Sequence, residues 1–177
     1  MEKEKLKSII ECLLFFSDKP LGIDKLAEIT EIENHEELKG AIEELKKEFE
    51  LRNGGLQVLN IAEGYQFCTK AEFSSWVRKL YKSQTTFQLS LPALETLSIV
   101  AYKQPVTRAE IEKIRGVDSS YVLRTLLERK LIRISGRKRL PGRPIIYGTT
   151  QEFLRYFGLK ELSEIPSLEE IKPPVSG

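Results

Sequence analysis

The stretch KQPVTRAEIEKI, Lys103–Ile114, decides the fold because its pattern occurs twice in the chain. Its counterpart is DKPLGIDKLAEI, Asp18–Ile29, and the two segments align Pro20 with Pro105 while keeping their apolar positions in register. Each proline follows an apolar run with helical spacing. Self-similarity of this kind is the sign of a duplicated structural unit. The sequence therefore predicts two copies of one small module.

A second pair of matching segments lies near the end of each copy. Thr69–Phe73 and Thr149–Phe153 both read Thr-x-x-Glu followed by phenylalanine. In a capping box the threonine oxygen accepts a hydrogen bond from the third helical amide, and the glutamate accepts one from the amide of the threonine. The pattern predicts that Thr69 and Thr149 each cap the start of a helix.

Each copy contains three helices and a β-hairpin. Apolar residues at helical spacing mark the helices, and LQVLNIA with GYQFCT, then IRIS with PIIYG, read as strands. Asn53–Gly55 supplies residues that tolerate the positive φ of the first hairpin, and Asp118 is the predicted N-cap of the second copy's third helix. The predicted fold is mostly α (α+β), with two tandem winged-helix domains, each of three helices plus a β-hairpin wing.

The repeat and the composition set the predicted domain boundaries. We expect an N-terminal winged-helix domain over 1–82, a linker over 83–90 (SQTTFQLS) and a C-terminal winged-helix domain over 91–166. The remaining residues, 167–177, combine prolines and charges with little to bury, so we expect a disordered tail.

Charge is distributed unevenly along the chain. Residues 1–85 contain 13 basic and 16 acidic residues, net −3, whereas residues 86–177 contain 15 basic and 10 acidic residues, net +5. The apolar run at the N-terminus is shorter than a secretion signal or a membrane span requires. We therefore expect a cytoplasmic protein with no membrane contact and a basic second half.

The sequence lacks a converging set of reactive groups. Cys12 and Cys68 lie in apolar stretches, where a thiol packs as a small hydrophobe, and together with the single His35 they cannot supply a four-ligand zinc site. Phosphate-binding loops and hydrolase or metalloprotease motifs are missing. We predict a non-enzymatic protein without metal or cofactor, and expect His35 at the surface.

The predicted second wing is the outstanding charge feature. The stretch Arg129–Arg143 has seven cations and no acid. It could contact a phosphate backbone, bind an acidic or extended protein segment, or be a solvated loop. The preceding helix reads bases poorly because it offers one arginine, Arg124, beside Glu128. Weak DNA contact therefore stays open for Arg124, Arg133, Arg137 and Lys138.

The corner of this wing favours a protein partner. Pro141 presets φ for a turn, Gly142 allows positive φ, and Pro144 is expected to keep Arg143 extended. A flexible cationic arm would not need this rigidity. From the residues alone, a protein-binding module is favoured over a nonspecific nucleic-acid binder, and both remain open.

Two long stretches carry a resemblance to a known family. Leu91–Ile132, which begins LPALETLSIVAYKQPV, and Gly136–Pro166, which contains PGRPIIYGTT and FLRYFGL, closely resemble the bacterial segregation and condensation protein B family. The resemblance implies a non-enzymatic subunit of the SMC condensin complex, associated with the nucleoid, with chromosome condensation and segregation during cell division as its role. It implies a homodimer formed chiefly through the N-terminal domain. It also implies binding to the central region of the kleisin, segregation and condensation protein A, and through it to SMC, which binds the ATP.

The resemblance also suggests site residues. The kleisin contact is carried over onto Arg139, Pro141, Gly142, Arg143, Pro144 and Tyr147. For Tyr147 the alternative is that it only closes the wing. An apolar excess on the first domain marks a partner surface, so the expected dimer contacts are Ile9, Leu13, Phe16, Phe73 and Trp76. The alternative function is a winged-helix DNA-binding protein or transcriptional regulator.

Overall fold

The computed structural model describes residues 2–80, 88–167 and 170. These residues form two compact units: the first holds the described residues up to 80 together with Gly158–Glu164, and the second holds those from 88 to 157 and from Ile165 onward. Residues 83–87 of the predicted linker, and 168, 169 and 171–177 of the predicted tail, lie outside the described part of the chain. The boundaries at 82, 90 and 166 stay predictions.

The first unit consists of three helices, a hairpin and a short final helix. Its main core comes from apolar residues three or four positions apart on the three helices, joined by Val58 of the hairpin. In chain order the elements are α1 (Lys3–Phe16), α2 (Ile23–Thr30), α3 (His35–Leu51), β1 (Leu56–Ile61), β2 (Gly64–Thr69), a 3-10 turn (Ala71–Phe73) and α4 (Ser74–Leu80).

The hairpin of the first unit turns at Ala62 and Glu63. Both residues have positive φ, 50° and 59°, as a two-residue turn between antiparallel strands requires. The prediction that Asn53–Gly55 supplies this turn was therefore wrong, because those residues precede β1. The turn's two amides donate to the carbonyls of Leu159 and Lys160 at 2.8 and 2.9 Å.

The second unit repeats this plan with a third strand. The strand order is β3-β5-β4, all antiparallel, so the predicted hairpin, β4–β5, is present and the two-residue strand β3 extends its sheet. In chain order the elements are α5 (Leu91–Lys103), β3 (Val106–Thr107), α6 (Arg108–Arg115), α7 (Ser120–Glu128), β4 (Ile132–Arg137), β5 (Ile145–Thr149) and α8 (Gln151–Phe157). The 3-10 turn Leu162–Glu164, which comes next in the chain, belongs to the first unit.

The duplication is visible in the backbone. Val106 pairs with Tyr147 in the second unit, and Leu21 makes an isolated bridge with Tyr65 in the first. Leu21 and Val106 are the residues that follow the two aligned prolines. The prediction of two tandem winged-helix domains is confirmed.

The helix caps differ from the predicted ones. Thr149 belongs to β5, and it is the Thr150 hydroxyl that accepts from the Phe153 amide at 3.2 Å. Thr69 ends β2, and the 3-10 turn after it has no side-chain cap. Asp118 lies one residue before the helix boundary, where its carboxylate accepts from the Ser120 amide at 3.1 Å. Local pattern therefore located the starts of α7 and α8 to within two residues, whereas α4 begins at Ser74, five residues after Thr69.

Candidate partner-binding surfaces

The wing of the second unit ends in a tight corner. The Arg143 amide donates to the Leu140 carbonyl at 2.8 Å, and Gly142 has a φ of 80°, which is the geometry of a turn that requires glycine at its third position. Arg143 itself has a φ of 42°. The expectation that Pro144 holds Arg143 extended was wrong, because the reversal continues through Arg143.

Hydrogen bonds across its base hold this loop. The Lys138 amide donates to the Pro144 carbonyl at 2.9 Å, and the Arg137 guanidinium donates to the Arg143 carbonyl at 3.2 Å. Arg139, Pro141, Gly142 and Arg143 are exposed. The corner therefore presents two free-standing cations on a backbone whose shape is fixed by internal bonds.

Lys138 joins the wing to α6. Its Nζ lies 2.6 Å from Glu110 Oε1. The other carboxylate oxygen of Glu110 accepts from the amide and the hydroxyl of Thr107, both at 2.8 Å, and completes a capping box. The Lys138 ammonium and then the Thr107 donors lower the pKa of Glu110 to about 2. Sequence reasoning missed this pair because the acid lies outside the cationic stretch; the signal was Thr-x-x-Glu at Thr107–Glu110.

Tyr147 does not face solvent. Tyr147 is 8% exposed and belongs to the core of the second unit. In the sheet its backbone lies between Val106 and Ile134. This burial favours the alternative that Tyr147 closes the wing, and its direct contact with a partner stays a prediction. The neighbouring Gly148 is close-packed: an added Cβ would lie 2.8 Å from Ser135 Oγ and 2.9 Å from Gln104 Oε1.

The four cations suggested for weak DNA contact all make internal bonds. Arg124 pairs with Glu128 at 3.0 Å on the exposed side of α7. Arg133 donates to the Thr149 carbonyl at 3.2 Å, and Arg137 and Lys138 are bonded as described above. The face of α7 thus carries little net charge toward solvent, and the DNA contact stays a prediction.

The first unit exposes aromatic side chains. Phe16 is 91% exposed and Trp76 66%, and the Lys79 ammonium lies 4.4 Å from the Trp76 ring centroid. Phe73 is more than one third exposed, and its ring lies near Gly55. Phe15 is also exposed. Sequence reasoning missed it and named only its neighbour Phe16 as a dimer contact.

Two of the expected dimer residues are less available than the aromatics. Leu13 packs against the core of the first unit, and Ile9 is half-buried. A groove of about 330 Å³ in the same unit is lined by other residues, namely Glu11, Cys12, Phe15, Phe49, Arg52, Leu56 and Phe67. Cys12 is exposed in this groove, which corrects its expected core position. Cys68 is half-buried.

The described residues hold no cluster of three or more His, Cys, Asp or Glu side chains that could bind a metal ion. His35 is partly exposed, with Nε2 3.8 Å from Asp24 Oδ1. Among the helices of the described ranges, none has the length and apolar character needed to cross a bilayer.

Comparison with known proteins gives one consistent family. The family model for the segregation and condensation complex subunit ScpB matches residues 8–168. Segregation and condensation protein B of Clostridium tetani is 48% identical over 164 residues, covering 93% of this chain and 86% of the relative. The Desulforamulus reducens protein of that name is 46% identical over 168 residues, covering 95% and 92%.

Solved structures are similar as well. A crystal structure of ScpB from Mycobacterium tuberculosis is 35% identical, covers 90% of this chain and 98% of its own, and superposes with a TM-score of 0.44. A dimer of a ScpB N-terminal domain complexed with a ScpA peptide is 29% identical, covering 44% of this chain and 95% of its own, with a TM-score of 0.41.

Proposed function

This chain belongs to the family of segregation and condensation complex subunit ScpB, and we propose that it is a non-enzymatic scaffold in chromosome condensation and segregation. It forms a homodimer through its first unit. It binds the central region of the kleisin, segregation and condensation protein A, through its second unit, and contacts SMC by way of the kleisin. It acts at the nucleoid in the cytoplasm.

The exposed aromatics of the first unit are the single observation that carries the scaffold role. A small unit that leaves Phe15, Phe16 and Trp76 mostly in water has apolar surface that a partner can cover, and such surface is uncommon on isolated monomers. Aromatic residues are also the ones enriched at the centres of protein interfaces. A second copy of the chain is the proposed partner here.

The rigid corner of the second wing supports a polypeptide partner for the second unit. Arg139 and Arg143 are exposed on a loop whose backbone internal hydrogen bonds hold in one shape, so little backbone conformational entropy is lost when the loop binds. Pro141, Gly142 and Pro144 keep that shape, and Tyr147 supports it from the core. Because Arg124 is neutralised by Glu128, sequence-specific DNA reading is the weaker candidate.

The mass of the full chain in solution, alone and with full-length kleisin, tests this function. We expect the mass of two chains without kleisin and a stable co-eluting complex with it. The double charge reversal Arg139→Glu/Arg143→Glu should weaken the complex, whereas Lys25→Glu, an exposed cation of α2, should not. The alternative function, a DNA-binding transcriptional regulator, would be favoured by a different result. In that case the chain is a monomer, does not co-elute with kleisin and binds duplex DNA in a base-dependent way.

A further inference from the structure

A groove in the second unit lies between the end of α5 and one face of α6. Its volume is about 470 Å³, and it is lined by Lys103, Pro105, Val106, Glu110, Lys113 and Ile114. The last three stand three and four positions apart on α6, so they share one helix face. Ile111 of the same helix is fully buried, so the groove face lies beside the side of α6 that packs into the core.

The groove combines apolar and cationic groups. Exposed Pro105 and Ile114, the latter 55% exposed, contribute apolar surface, whereas Val106 is buried. A large aliphatic side chain is thus left in water beside a concavity. Lys103 and Lys113 are exposed. Neither forms an ion pair with a carboxylate of the described residues.

The one carboxylate of the groove is already satisfied. Glu110 bonds to Lys138 through one oxygen and to Thr107 through the other, so it does not offset Lys103 and Lys113. The groove therefore carries net positive charge next to an apolar surface. An acidic segment with an apolar side chain complements both features.

The groove is continuous with the cationic wing. Lys138 reaches Glu110 from the wing, and Arg137 and Arg139 flank it with exposed side chains. The positively charged surface formed by the groove and the wing is thus longer than the groove itself. Such a surface fits an extended polypeptide better than a compact small molecule. A phosphate backbone would gain charge contacts here but nothing from burying Ile114.

We propose that this groove binds an extended polypeptide segment in which acidic residues flank an apolar anchor, with Ile114 contacting the anchor and Lys103 and Lys113 contacting the acids. The inference rests on the proposed function, because the segment belongs to the polypeptide partner assigned there to the second unit. It adds a binding surface on α5 and α6 to the wing residues.

Calorimetric titration of the full chain with full-length kleisin tests the groove. Lys103→Glu/Lys113→Glu and, separately, Ile114→Ser should each weaken the affinity roughly tenfold or more, since one removes charge complementarity and the other the apolar contact. The charge control is Lys25→Glu/Lys39→Glu, two exposed cations of the first unit that pair with Glu28 and Glu36. The matched apolar control is Val117→Ser, an equally exposed residue of the second unit. Thermal unfolding verifies that each variant is folded.

The outcomes separate the groove from the proposed function. Wild-type binding with groove variants within twofold of it would overturn the inference and leave the function standing. If wild type fails to bind kleisin, the function falls. The groove is then decided by NMR titration with a synthetic peptide in which glutamates flank a leucine–phenylalanine pair. Amide shifts concentrated in residues 103–114 would support the groove, whereas shifts elsewhere or none would refute it. The inference would also be refuted if the groove variants no longer bound duplex DNA but still bound the polypeptide.

Discussion

Glu110 stabilises two elements of the second unit at once. One carboxylate oxygen completes the N-terminal cap of α6 with Thr107, and the other pairs with Lys138 of the wing. Both sets of donors favour the ionised form, which is why its pKa falls to about 2. A group whose pKa is lower in the folded state contributes stability above its unfolded pKa and loses that contribution as the pH falls through the folded value.

The pH dependence of unfolding tests this role. Stability that depends on Glu110 should be fully present above its ordinary pKa of 4.5 and should disappear as the pH falls toward 2. Glu110→Gln should therefore destabilise the protein at pH 7 and flatten the decline of the unfolding free energy below pH 4.5. Denaturant unfolding at pH 7 and in acid measures both effects.

Glu128→Gln is the matched control for this experiment. It removes a carboxylate from an exposed ion pair with Arg124, and such pairs contribute little to stability. An acid profile of Glu110→Gln that coincides with the wild-type profile would contradict the role of the Glu110 charge.

At the scale of elements, one strand pairing recurs in both units. Leu21 and Tyr65 exchange two backbone hydrogen bonds at 2.9 Å in the first unit, where Val106 and Tyr147 pair in the second. The pairing brings the segment before the second helix against the hairpin. The Leu21 backbone leaves no space for a side chain at Gly64. An added Cβ there would lie 2.9 and 3.0 Å from the Leu21 carbonyl carbon and oxygen.

Gly64→Ala should therefore destabilise the first unit. The new methyl group meets backbone atoms that cannot move without disturbing the bridge, and overpacking of this kind costs about 1–3 kcal/mol. The control is Gly40→Ala, at an exposed position inside α3 where nothing lies within 4 Å. That change should stabilise the protein by roughly 0.5–1 kcal/mol. Equal unfolding free energies for the two variants would exclude the close approach.

At the scale of the whole molecule, two units with one plan offer different surfaces. The first exposes aromatic side chains at Phe15, Phe16 and Trp76. The second exposes cations on a rigid corner and beside a groove. The two units share one fold but differ in their surface residues. In the proposed function the first unit therefore self-associates and the second binds another polypeptide.

The variant Phe16→Ser/Trp76→Ser tests the assignment of the dimer to the first unit. Both side chains are mostly exposed, so the fold should survive while the apolar surface for a second copy is lost. We expect light scattering to report one chain instead of two and the thermal midpoint to stay near the wild-type value. Val117→Ser, an exposed apolar residue of the second unit, should remain a dimer. A dimeric double variant would place the interface elsewhere.

The sequence by itself indicated the duplicated module and the winged-helix plan, because apolar spacing and the aligned prolines are local properties of the chain, and the resemblance of its motifs indicated the family. Tertiary structure decided which residues face solvent: Tyr147 is buried, Cys12 is exposed, and Lys138 meets Glu110 across 28 positions of chain. These outcomes depend on contacts between distant segments, which periodicity does not encode. The positive φ at Ala62 and Glu63 has the same origin, since strand pairing imposes it on residues whose own preference is different.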